Sequence, residues 1–87
     1  MKKFTYTIQD EIGLHARPAS QLIRIAKSYK SKITLINTKN NKSAEATKMM
    51  AIMALGIVYG ITVDVTIEGE DEDAALTELK TFFTGTL

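Results

Sequence analysis

The chain contains no cysteine, so disulfides and thiolate metal sites are excluded. It has a single histidine. No set of metal ligands, paired carboxylates or nucleophilic triad is spaced around a common site, so neither a cofactor nor a free-standing enzyme is expected. No segment approaches the roughly twenty consecutive apolar residues that a membrane span requires. The opening run Met1-Lys2-Lys3-Phe4-Thr5 passes into alternating polar residues rather than a long apolar stretch, which predicts no secretory signal. The expectation is a cytoplasmic protein without direct membrane contact. There is no internal repeat, linker or low-complexity segment. Aromatic residues are scarce on the predicted strands, and single-strand nucleic-acid readers need stacking platforms, so no nucleic-acid partner is expected.

What is present suffices for a small core. The 87 residues, 45% of them hydrophobic, are expected to form one domain spanning residues 1–87, with two layers of secondary structure. The net charge of +1 conceals an asymmetry. From Arg17 to Lys48 the basic residues are Arg17, Arg24, Lys27, Lys30, Lys32, Lys39, Lys42 and Lys48, and the only acid is Glu45. From Asp64 to Glu78 there are acids and no base. A basic middle attracts acidic partner surfaces or phosphorylated ligands.

Hydrophobic periodicity orders the elements. Phe4, Tyr6 and Ile8 alternate with polar residues and predict a strand over 3–8. Ala19, Leu22, Ile23 and Ala26 fall at helical spacing and predict a helix over 16–30. Ile33 and Leu35 share a face of a strand over 32–37. Asn40-Asn41 sits in a polar turn and tolerates positive φ. A short strand over 43–46 turns Ala44 and Ala46 inward. Thr47 is placed to cap a short helix over 48–54, and Gly56 and Gly60 bracket its end. Ile61, Val63, Val65 and Ile67 make the clearest strand, 61–67, which Gly69 ends. Asp71, Glu72 and Asp73 open a last helix, where negative charge suits the dipole, and Ala75, Leu76, Leu79, Phe82 and Phe83 form its buried stripe. The order is βαββαβα. Antiparallel pairing with the helices on one face buries each apolar stripe once, which gives an α+β, two-layer fold.

The most informative stretch is Gly13-Leu14-His15-Ala16-Arg17-Pro18-Ala19-Ser20. His15 stands where a loop becomes a helix, and Pro18 suits a helix's first turn. Free N–H groups and the positive dipole end therefore lie beside the imidazole. A neutral imidazole nitrogen can attack a phosphoryl group, and helix-start amides with an arginine can hold the phosphate. On residue chemistry alone, a solvated histidine and arginine beside helix punctuation is the more ordinary reading.

The run Gly-Leu-His-Ala-Arg-Pro-Ala resembles the active-site signature of the histidine-containing phosphocarrier (HPr) proteins of the bacterial sugar phosphotransferase system. The resemblance extends to Met49-Met50-Ala51-Ile52-Met53-Ala54-Leu55-Gly56, and to Gly69 with the acidic, amphipathic segment after it. It covers essentially the whole chain. It implies an open-faced sandwich, a four-stranded antiparallel sheet of order 1-4-2-3 with three helices on one face. It implies that His15 accepts a phosphoryl group on Nδ1 from enzyme I and passes it to a sugar-specific enzyme IIA. Arg17 would stabilise the phosphate, aided by the helix-start N–H of Ala16. Ser20, Arg24, Lys27, Met49, Met50 and Met53 match partner-binding positions. A monomer suits such a shuttle.

One departure stands out. Allowing for a slightly longer hairpin before it, Lys48 occupies the place of the family's regulatory serine. A lysine cannot accept the phosphate that the regulatory kinase adds there, so the chain resembles a carrier without that switch. An HPr-like regulatory paralogue, signalling carbon or nitrogen state through protein partners, is the alternative; phosphoryl uptake at His15 separates the two.

Overall fold

The computed structural model describes residues 1–87. Its elements are β1 (Lys2–Thr7), α1 (Ala16–Lys27), β2 (Lys32–Asn37), β3 (Lys42–Glu45), α2 (Met49–Met53), β4 (Thr62–Glu68) and α3 (Glu72–Thr86). The strands form one sheet in the order β1-β4-β2-β3, with every pair antiparallel. The fold class, element order and strand order are those expected. β1, β3 and β4 lie within one residue of the expected spans, and β2 coincides with its own.

The pleat explains which residues form the core. On β4, Val63, Val65 and Ile67 are buried, while Thr62, Asp64 and Thr66 are half-buried on the other face. Pairing puts Val65 between Phe4 of β1 and Leu35 of β2, so neighbouring strands turn apolar residues the same way. Ala44 and Ala46 are buried as expected. The helices cover this face. Ala19, Leu22 and Ala26 of α1 and Ala75, Leu79 and Phe83 of α3 point into it. The Phe83 ring meets Phe4 and Tyr6 edge-on, at centroid distances of 5.5 and 5.7 Å, a favourable quadrupolar arrangement. No helix is long and apolar enough to cross a membrane.

Helix α1 ends at Lys27 rather than at Lys30. The reason lies at the start of α3. The Asp71 carboxylate accepts hydrogen bonds from the N–H groups of Lys30 (2.7 Å) and Ser31 (2.9 Å), and from the Ser31 hydroxyl. Those amides therefore leave the helical ladder and the chain turns into β2. Gly69 lets the two segments close: a Cβ there would lie 2.6 Å from the Ser31 Cα. Tyr29 packs half-buried against the core and donates its hydroxyl to Glu78.

The Ser31 hydroxyl first, and then the backbone N–H groups, hold the Asp71 carboxyl below its ordinary value of 3.8. The folded state thus binds a proton less readily than the unfolded one. The stabilisation is present above the unfolded value and is lost as pH falls through the lowered folded value. Asp71→Ala is expected to lower Tm at neutral pH. The gap to wild type should close well below pH 3.8; a gap that stays constant with pH would mean that the charged form contributes nothing.

Thr47 does not cap α2. Lys48 holds the N-cap place, with extended backbone and no side-chain capping bond. The Thr47 hydroxyl turns back to Glu45 Oε2 at 3.4 Å, because the tight β3–α2 connection, closed by Lys48 N–H to the Glu45 carbonyl (3.1 Å), keeps it on the strand side.

Candidate functional site

Residues 9–14 are pinned on several sides. The N–H groups of Gln9 and Asp10 donate to the Leu87 oxygen, at 2.5 and 2.8 Å. Asp10 then accepts from the N–H groups of Ile12 and Gly13 with one carboxylate oxygen, both at 3.1 Å, which curls the chain back. Gly13 adopts φ +79°. It runs so close to the segment after α2 that a Cβ would fall 2.6 Å from the Val58 Cα and 2.7 Å from the Ile57 carbonyl. The Leu14 N–H donates to that same carbonyl at 2.9 Å, and Leu14 is buried.

The chain thus delivers His15 to the N-cap of α1 with extended backbone (φ −101°, ψ −172°). Its carbonyl accepts from the Ala19 N–H at 2.9 Å. Its half-buried imidazole makes no capping bond to the helix. The side chain therefore leaves the helix-start amides unspent. The first-turn N–H groups have no carbonyl one turn back to receive them. Pro18 has no N–H, so the amides closest to His15 are those of Ala16 and Arg17. The ring and these donors share one helix end, an arrangement suited to receiving an anionic group.

Arg17 is exposed. The ion pairs of the protein join the N-terminal ammonium to Glu72, Lys2 to Asp73 and Lys3 to Asp64. None involves the basic middle, so Arg17, Arg24, Lys27 and Lys48 all present unpaired, exposed cations. Ser20 is exposed on the same helix as Arg17. Arg24 and Lys27 occupy the last turn of α1, where their charge complements the helix dipole.

The short helix α2 packs beside α1. Its methionines divide. Ile52 is buried and Met49 is half-buried against the core. Met50 is 84% exposed and Met53 42% exposed. The outward pair is a flexible apolar surface next to a basic one.

Sequence reasoning missed two supports of His15. Asp10 and the Ile57–Val58 backbone fix the loop, yet neither has functional chemistry of its own. The Asp10–Gly13 spacing was the available signal for a side-chain-closed turn. It also missed that Ile12, Val58 and Tyr59 are exposed.

Residues 2–85 match the family model described as the PTS HPr component phosphorylation site. The chain is similar to the phosphocarrier protein HPr of Mycoplasma capricolum, with 39% identity over 92% of this chain and 88% of that protein. It is also similar to part of the multiphosphoryl transfer protein of Haemophilus influenzae, 41% identical over 86% of this chain but only 15% of that much longer protein. Among solved structures, HPr from Thermoanaerobacter tengcongensis superposes with a TM-score of 0.88 at 37% identity, covering 97% of this chain and 92% of the other.

Proposed function

The chain belongs to the PTS HPr family, and from that premise we propose that it is a phosphoryl carrier which takes its phosphoryl group from phosphorylated enzyme I onto His15 and hands it to a sugar-specific enzyme IIA. The observation that carries this reading is the imidazole at the α1 N-cap, which makes no capping bond and leaves the helix-start amides free. A lone pair on the ring nitrogen forms the new N–P bond. The bond from phosphorus to the donor breaks, and its electron pair stays with the donor. The helix-start amides and Arg17 bond the phosphate oxygens during the exchange. In the onward step a nucleophile of the acceptor attacks phosphorus, the N–P bond breaks, and its electron pair returns to the ring nitrogen. The exposed Met50 and Met53, with Ser20 and the basic rim of Arg17, Arg24 and Lys27, suit an acidic protein surface carrying apolar side chains. The whole chain acts as one cytoplasmic domain, without a cofactor.

The test is incubation with enzyme I and labelled phosphoenolpyruvate. Label on this chain that is lost in mild acid and kept in base identifies an N–P bond. Absence of label, with a known carrier labelled in parallel, would favour the regulatory paralogue instead.

Arg17 has a separable role. Its guanidinium bonds two phosphate oxygens in a fixed plane, whereas an ammonium acts as a point charge. Arg17→Gly is expected to slow transfer by about 10²-fold, comparable to loss of one anion-stabilising donor. Arg17 is exposed and has no carboxylate partner, so most of that loss should appear without a matching fall in Tm. A transfer rate unchanged by the substitution would reduce Arg17 to a surface charge.

A further inference from the structure

The exposed apolar surface does not stop at α2. Residues 8–14 and 57–61 run side by side. The Ile8 N–H donates to Ile61, the Gly60 N–H donates to Ile8, and the Leu14 N–H donates to Ile57. The large apolar side chains these two segments leave in solvent are Ile12 (66% exposed), Val58 (51%) and Tyr59 (63%). None is packed into the core. Together with Met50 and Met53 they account for all the exposed large hydrophobics of the protein apart from Met1. Exposed apolar side chains so concentrated on two paired segments and one short helix mark an interaction surface.

The charges along the chain change sign at His15. After it come Arg17 in α1 and, further on, Lys48 at the start of α2. Before it comes Glu11, which with Gln9 and Tyr59 lines an open depression in the surface. Glu11 belongs to none of the ion pairs. Its neighbour Asp10 spends one carboxylate oxygen on the loop amides. An unpaired acid beside a tyrosine ring fits a cation carried on an aliphatic stem.

We propose that Ile12, Val58 and Tyr59 around Glu11 form a second half of the docking face, which receives a lysine or arginine of the phosphoryl donor with an apolar residue beside it. The two halves carry opposite charge. A donor that places an acid over Arg17 and a base over Glu11 is held in one rotation about the His15 axis, and the reverse rotation sets like charges together. The loop is already fixed by Asp10 and the Ile57 carbonyl, so docking there has little backbone order left to impose. This inference rests on the carrier reading of His15.

The experiment measures labelling of His15 by enzyme I and phosphoenolpyruvate as a function of the concentration of this chain. The variants are Glu11→Lys, Tyr59→Gln and Ile12→Ser, all at exposed positions. Each is expected to raise KM by about tenfold at low salt, as an aromatic or charged interface anchor does, with kcat little changed. Salt at about 0.5 M should shrink the Glu11→Lys effect and leave that of Tyr59→Gln, because only the first is Coulombic. Circular dichroism checks that each variant is folded. A wild-type chain that takes no label overturns the carrier reading and this inference with it. A labelled wild type with KM unchanged in Glu11→Lys and Tyr59→Gln overturns this inference alone.

Discussion

His15→Ala is expected to abolish acid-labile phosphoryl labelling altogether while leaving the unfolding transition almost where it was. The first half follows from composition. His15 is the only histidine, so no second imidazole can take the group, and residual label on a serine, threonine or tyrosine hydroxyl would survive mild acid. The second half follows from the structure. An N-cap side chain that bonds the helix stabilises it by about 1 kcal/mol, and alanine forfeits that. His15 makes no such bond, so there is none to lose. Its carbonyl still accepts from Ala19, because that bond belongs to the backbone. The cost should stay within about 0.5 kcal/mol, as for substitutions away from packed or bonded features. Labelling by enzyme I and denaturant titration of the same preparation measure both halves. Acid-labile label in the variant would remove His15 from the mechanism. A large loss of stability would show that the ring holds the loop rather than standing ready for chemistry.

The fold was legible because its strongest signals are periodic. Val63, Val65 and Ile67 alternate so regularly that the strand could be read directly, and its burial follows the pattern. The helices α1 and α3 announce their inner faces in the same way. The failures lie where a distant residue decides. The end of α1 depends on Asp71, about forty positions away in the chain, which captures the amides of Lys30 and Ser31. The Thr47 hydroxyl follows the tight turn out of β3 rather than serving as a cap. The site shows the same division. His15, Ala16, Arg17 and Pro18 are contiguous, so their juxtaposition can be read along the chain. What holds them is not contiguous: the Ile57 carbonyl and Val58 come from beyond α2. The methionines share one short helix, but only tertiary packing decides that Met49 turns inward and Met50 outward.

Gly13→Ala is expected to be strongly disruptive for a change of one methyl, and comparison with Gly56→Ala separates its two causes. Both glycines have positive φ, +79° and +69°. A side chain in that region costs about 1–2 kcal/mol, so Gly56→Ala should lose roughly that and no more, because nothing lies within 4 Å of its added Cβ. Gly13→Ala carries the same strain and a collision as well. Its Cβ would sit 2.6 Å from the Val58 Cα and 2.7 Å from the Ile57 carbonyl. Those are backbone atoms, which cannot rotate aside as a side chain end can. The two segments must separate, and the bond from Leu14 N–H to the Ile57 carbonyl, now 2.9 Å, must stretch or break. Overpacking of this kind adds about 1–3 kcal/mol, so the total should reach about 2–5 kcal/mol. The chemical consequence is larger than the loss of stability implies. Leu14 is the residue before His15, so opening this contact moves the imidazole relative to the amides of Ala16 and Arg17. A misplacement of about 1 Å is enough to cost roughly 10²-fold in a transfer step. Under conditions where both variants are folded, Gly13→Ala should therefore be a poor phosphoryl acceptor, and Gly56→Ala should remain close to wild type. Urea titration gives the two stabilities, and labelling rates at saturating donor give the two activities. Equal stabilities would mean that the loop yields freely to the added methyl. Equal rates would mean that the contact with Ile57 and Val58 does not position His15.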